Sequence, residues 1–299
     1  MSHRRERGVA LLAAVGTLAV LTVLAVGLAE TAAVDQRQTT SALGALQAEA
    51  LARSGVAVAA VVLDETRAAG APDTLASPWG RDTGRQPLGA GWVHVRVEDA
   101  ARRLDLNAPE LAYALPRLLG LLDLDPGLAD VIADWIDDDD APRPRGAERA
   151  WYLGGTPAVV PRNAPFATVG ELALVRGIDT SALARLRLHV TVAGEHHVNP
   201  NTASREVLLA VVQDAGTVER LLAARARGPI TDDQIRALLD GAPPAVRQAL
   251  VARGQCYTVR AVAGVGDVRR AVEATLFAPE GAQPEVIAWR PSRPGALPE

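Results

Sequence analysis

The feature that most constrains this chain is its start. Arg4, Arg5 and Arg7 precede an uncharged stretch from Val9 to Ala29, and the chain then passes Glu30 into alanine-rich sequence without a turn signal. A helix of about 21 residues rises roughly 32 Å, enough to cross a hydrocarbon core. Thr17 and Thr22 are tolerable there because a hydroxyl can bond back to a carbonyl of the preceding turn. The cations lie before the span and no compensating cluster follows closely. The N-terminus is therefore expected in the cytoplasm and everything after Glu30 outside it. Two plainer readings stay open. One is a cleaved secretory signal, with small residues at Leu28-Ala29-Glu30-Thr31-Ala32-Ala33 for a peptidase; the other is a simple membrane anchor.

The 299 residues allow about two domains beyond the anchor. A net charge of -4 argues against a nucleic-acid binder held by phosphate attraction. The single cysteine, Cys256, cannot form an internal disulfide, and its strand-like surroundings predict a buried, inert thiol.

Leu43, Leu46, Ala50, Leu51, Val58, Val61 and Val62 recur at helical spacing, so the first helix is predicted to run on to Gly70-Ala71-Pro72. Gly91 to Asp99 alternates as a strand does. Helices are predicted near 108–122, 126–137, 168–176, 180–186, 203–213, 215–226, 231–239 and 243–253. A strand is predicted over Leu188 to Ala193, and three closing strands over 255–264, 268–278 and 284–290. Strands flanking a helical block can belong to one interrupted sheet. The expected fold is α+β: a long N-terminal transmembrane and spine helix, then an antiparallel sheet interrupted by a large all-helical insertion. The expected divisions are a leader (1–8), a transmembrane helix (9–29) and the rest of the spine helix (30–69). An α+β domain (70–107 and 255–290) would carry the insert (108–254), followed by a Pro-rich disordered tail (291–299).

Cations, a Gly at the foot of a hydrophobic segment and a long helix after it resemble the layout of type IV prepilin-like proteins. Four further segments narrow the resemblance. Val97-Glu98-Asp99 leads into Arg103-Leu104-Asp105-Leu106-Asn107, and Asp134-Trp135-Ile136-Asp137 is followed by Gly146-Ala147-Glu148 and Tyr152. Asn163-Ala164-Pro165-Phe166 leads into Glu171-Leu172, and the last segment is Val198-Asn199-Pro200-Asn201-Thr202-Ala203. In this order, behind such a leader, they resemble the protein K family of the type II secretion system, the large minor pseudopilins. Asp105 and Pro200 depart from Asn in the family pattern.

The resemblance implies a pilin-like sheet and cleavage by prepilin peptidase between Gly8 and Val9, with methylation of the new Val9 amine. It implies assembly with minor pseudopilins I and J and with the inner-membrane secretion platform. It also implies a place at the pseudopilus tip, initiating and capping assembly in support of the export of folded proteins across the outer membrane. The expected location is the bacterial inner membrane, single-pass, with a periplasmic C-terminal domain. Most pilins carry Glu at the fifth mature position, which here is Ala13; the family is similar in lacking it, as suits a subunit with no other ahead of it.

Asp134, Asp137, Asp138, Asp139, Asp140 and Glu148 lie close together and repel one another unless a cation sits among them. A solvated acidic loop and a hard cation site both fit, whereas zinc lacks a nearby Cys or His. The resemblance implies structural calcium, with Asp134, Asp137, Asp139 and Glu148 as first-choice ligands.

His196-His197 beside Glu195 has no third ligand at persuasive spacing and reads as an exposed loop pair. Ser54-Gly55 and Gly154-Gly155-Thr156 lack the setting of a nucleophile elbow or a phosphate loop. The sequence offers no catalytic constellation and no enzyme is expected. Leu174-Val175-Arg176-Gly177-Ile178 resembles half of a helix-hairpin-helix unit, here read as a packing module. The alternatives are a minor pilin of a type IV pilus and a membrane-anchored DNA-binding protein. The five scattered tryptophans are expected as core or interface anchors.

Overall fold

The computed structural model describes residues 2–155 and 158–295. Helix α1 (Ser2–Ala68) runs through Glu30 without a break, since nothing in its sequence punctuates it. Its 67 residues make a rod of roughly 100 Å. Thr22 Oγ1 donates to the Leu18 carbonyl at 2.8 Å, the back-bond expected of a hydroxyl in an apolar span.

Strands β1 (Gln86–Leu88) and β2 (Gly91–Asp99) follow, then the short β3 (Leu104–Asp105). Helices α2 (Leu115–Leu121), α3 (Leu128–Ile136), α4 (Arg149–Leu153) and α5 (Thr180–Leu186) lead to β4 (Val190–Thr191). Next come α6 (Arg205–Val212), α7 (Ala215–Arg227), α8 (Asp232–Leu238) and α9 (Pro244–Ala249). The chain closes with β5 (Cys256–Val265), β6 (Val268–Phe277) and β7 (Glu285–Ser292). Two predicted helices, near 108–122 and 168–176, are wholly or partly 3-10 turns, Pro109–Ala114 and Val169–Leu174.

The large sheet has the order β1-β2-β5-β6-β7, antiparallel throughout. Asp99 pairs with Tyr257, so the helical block leaves the sheet and returns to it at adjacent strands. The predicted interrupted α+β fold is thus the observed one. Two details differ. Strand β4 pairs in parallel with β3, and both belong to the insert, because Leu104 and Leu106 are buried in its apolar core. The insert therefore begins just after Asp99 rather than at 108. Strand β7 continues to Ser292, into the segment expected to be disordered, and residues 296–299 lie outside the described part.

The sheet covers only one face of α1. The large apolar residues Leu43, Leu46, Val58 and Val61 are 55–67% exposed. The face turned to the sheet is made of Ala48, Ala52, Gly55, Val56, Ala59 and Leu63, all buried. Small residues win this face because the helix lies against the sheet at close range: a Cβ on Gly55 would stand 2.8 Å from Val93 Cγ2 and Val95 Cγ2.

Candidate functional site

Helix α3 delivers Asp134, fully buried, near its end, and Asp137 follows its last residue. Pro142 and Pro144 hold the loop out of helix, and it returns to Glu148 at the start of α4. Gly146 lets the loop close down: a Cβ there would lie 1.8 Å from Asp134 Oδ2. Carboxylate oxygens of Asp134, Asp137 and Glu148 come within 4.8 Å of one another. Arg143 Nη1 donates to Asp134 Oδ1 at 2.7 Å and also to Asp137. Both Glu148 oxygens and Asp137 Oδ1 are buried with no hydrogen-bond partner among the described residues. Burial, and then the charges of Asp134, Asp137 and Asp140, push the Glu148 carboxyl above its ordinary range. Orphaned, acceptor-only oxygens beside a single guanidinium are a donor set that suits a hard divalent cation. The fourth predicted ligand, Asp139, is not gathered in. Its Oδ1 accepts from the Ala141 N–H at 2.7 Å on an exposed turn, so its carboxylate is spent on the loop.

A second carboxylate network joins insert to sheet. Asp99, the last residue of β2, accepts from Thr202 Oγ1 at 2.7 Å, Asn199 Nδ2 at 2.9 Å and the Ala101 N–H at 2.9 Å. Asn201 exchanges two hydrogen bonds with the Ile230 backbone, at 2.9 and 2.7 Å. Asp105 accepts three backbone N–H groups, from Asn107, Gly194 and Glu195, each at 2.8 Å. A site that asks only for an acceptor explains why Asp stands where the family pattern has Asn. Glu195 in turn accepts from the Gln255 and Cys256 N–H groups at 2.6 and 2.9 Å, holding the entry to β5. Sequence reasoning singled out these segments as motifs without a role; their role is the junction. Burial pushes the Cys256 thiol up to about 12, as suits an inert thiol.

The remaining expectations are placed as follows. Gly8 and Val9 lie in α1, where backbone alone is described. His196 faces Glu110 at 3.2 Å and His197 faces Glu195 at 3.4 Å, so the pair points apart, and His197 is half-buried rather than a fully exposed loop residue. Thr156 lies outside the described residues. Val175, Ile178, Leu183 and Leu186 of the hairpin-like segment are buried in the insert's core. Trp79 and Trp135 are buried, whereas Trp151 and Trp289 are 50% and 43% exposed.

A family model described as type II secretion system (T2SS), protein K, matches residues 97–195, the β2 end and the first half of the insert. Type II secretion system protein K of Klebsiella pneumoniae is 32% identical, over 76% of this chain and 77% of its own length. That of Pseudomonas aeruginosa is 30% identical, over 75% and 74%, and that of Aeromonas hydrophila 27%, over 92% and 94%. A chain in the crystal structure of the GspK-GspI-GspJ complex from the enterotoxigenic Escherichia coli type 2 secretion system has the same fold. Its TM-score is 0.74 at 20% identity, covering 86% of this chain and 99% of that one. The chain belongs to the type II secretion system protein K family and is a minor pseudopilin of type II secretion.

Proposed function

We propose that this minor pseudopilin stands at the tip of the pseudopilus, where it initiates and caps assembly. The observation that carries this reading is the division of α1 into two faces. The small-residue face is covered by the chain's own sheet, and the outward stripe of Leu43, Leu46, Val58 and Val61 is left for helices of other subunits. The insert, 100–255, adds bulk that would stop a further subunit from stacking above. Ala13 in place of a buried Glu suits a subunit with none ahead of it. The solved complex containing GspI and GspJ supports minor pseudopilins I and J as the partners. Its work is mechanical rather than catalytic.

Before assembly the exposed apolar part of α1 would anchor it once in the inner membrane. Arg4, Arg5 and Arg7 would remain cytoplasmic and the sheet and insert periplasmic. Prepilin peptidase would cut between Gly8 and Val9, and Val9 would be methylated. Asp134, Asp137 and Glu148 would hold a calcium ion that ties the loop 138–148 to α3 and neutralises the orphaned oxygens. Asp139 drops out of the ligand set.

The test is co-expression with prepilin peptidase and proteins I and J, followed by intact mass, N-terminal sequencing and co-purification. A chain starting at N-methylated Val9 that carries both partners supports the reading. A chain starting near Val34 would overturn it.

A further inference from the structure

The large sheet is wider than the helix laid on it. Helix α1 packs against β2, β5 and β6. Ala274 and Leu276 of β6 are buried in the core it covers, and the register sets Trp289 and Val286 of β7 directly opposite these two. Directly opposite residues share a face, so Trp289 and Val286 point to the helix side. They are nevertheless 43% and 38% exposed, because α1 lies over the neighbouring strands instead.

One contact identifies the flank of α1 that borders β7. The Arg53 guanidinium stands over the Trp289 ring, 5.0 Å from its centroid. Leu46, Ala50 and Ala57 lie on the same side of the helix as Arg53, at spacings of three and four, and all are exposed. This flank and β7 form the two walls of a recess whose apolar bulk is Leu46, Trp289 and Val286. Glu49 pairs with Arg53 at 2.9 Å, so Arg53 brings no unpaired charge into it. The recess runs along α1. A Cβ on Gly44 would stand 3.3 Å from Val268 Cγ2 at the start of β6, and Arg67 donates to the Tyr257 hydroxyl near the start of β5. The helix thus follows the strands from the turn of the β5–β6 hairpin to its open end.

We infer that this recess seats the spine helix of a neighbouring minor pseudopilin, with Trp289 as its anchor. Three observations select a helix as the occupant. The recess is parallel to α1, the direction of any second helix that rises from the same membrane. Ala50 and Ala57 keep the α1 flank low, which lets another helix axis approach to about 8–10 Å. The register shift at Thr275/Leu276 and Pro291 interrupt β7, which makes its outer edge a poor template for an added strand. The inference carries the outward stripe of α1 onto the sheet, and it rests on the assembly reading above for the identity of the partner.

The test uses the full chain, co-expressed in membranes with prepilin peptidase and proteins I and J. The chain carries p-benzoylphenylalanine in place of Val286 in one sample and of Val61, on the outward stripe, in another. Light should cross-link position 286 to the spine helix of protein I or J, as identified by mass spectrometry of the joined peptides. Cross-links from position 61 with none from 286 would overturn the recess and spare the assembly reading. So would cross-links from 286 that reach only a globular domain or an exported protein. No cross-link to either protein from both positions would sink the assembly reading, and the recess with it. Trp289→Ala should lower the partner recovered by about tenfold, and Trp289→Phe should retain most of it. Trp151→Ala, at a half-exposed tryptophan of the insert, should leave recovery unaltered. Full recovery with Trp289→Ala would remove Trp289 as the anchor and overturn the proposal.

Discussion

Thr202 Oγ1 donates to Asp99 Oδ2 at 2.7 Å, across 103 positions of sequence. This contact fastens the start of α6's approach to the end of β2, at the point where the insert leaves the sheet. The carboxylate that receives it is wholly buried, and so are Asp105 and Glu195 beside it. The junction between the two halves of the molecule thus combines buried carboxylates with a small apolar cluster of Ala100, Ala193 and Cys256.

Burial pushes the Asp99 carboxyl up to about 7, against the pull of its hydrogen bonds from Thr202 and Asn199. A folded-state value above the unfolded one, about 3.9, means the folded protein holds this proton more tightly. The associated stability is present below the unfolded value and is lost as pH rises through about 7. Burial also raises Asp73 and Asp105, in the same sense. Thermal unfolding stepped across this window should show Tm falling as pH rises. Asp99→Asn should flatten that slope, and an unchanged slope would assign it to other groups.

At Gly55, α1 approaches β2 too closely for a side chain: a Cβ there would lie 2.8 Å from Val93 Cγ2 and Val95 Cγ2. Gly55→Val should destabilise by about 1–3 kcal/mol through overpacking, despite a better helix propensity. Gly44→Ala is the internal control. Its added Cβ would meet Val268 Cγ2 at 3.3 Å, a contact a small shift relieves, so its effect should stay within about 1 kcal/mol. Chemical denaturation of both variants decides whether close approach, rather than glycine in a helix as such, is what matters.

If calcium occupies the acidic cluster, it should raise stability by about 2.7 kcal/mol at roughly a hundredfold excess over Kd. Glu148→Gln should abolish most of that gain, and Asp139→Asn should leave it intact. Arg143→Gln removes the guanidinium that competes for Asp134 and Asp137, so it should tighten calcium binding. Calorimetric titration of the three variants gives the order directly. Loss of binding in Asp139→Asn would restore the wider ligand set.

Leu46 and Val61 are 67% and 58% exposed on the outward stripe of α1. Leu46→Glu with Val61→Glu should abolish co-purification with proteins I and J while leaving the melting of sheet and insert unchanged. Retained assembly would move the partner surface off this stripe.

The sequence by itself determined what depends on local pattern. An uncharged stretch without punctuation has to be a helix if it enters lipid, because only intrasegment bonds satisfy its backbone there. Alternation at Gly91 to Asp99 and in the closing segments made strands legible, and their separation by helical sequence made the interruption legible. The motif segments placed the chain in its family before any fold was known. Tertiary structure decided what depends on long-range return. Helical periodicity at Leu43, Leu46 and Val58 made the helix legible, and the close approach of the sheet decided that its small residues form the covered face. Six acids, at 134, 137–140 and 148, were not told apart by local pattern. The end of α3 and the backbone of Gly146 chose Asp134, Asp137 and Glu148, and left Asp139 to its own turn. The row of Arg96, Arg260, Glu273 and Arg290 across β2, β5, β6 and β7 had no sequence signal, because strand register alone sets these residues side by side.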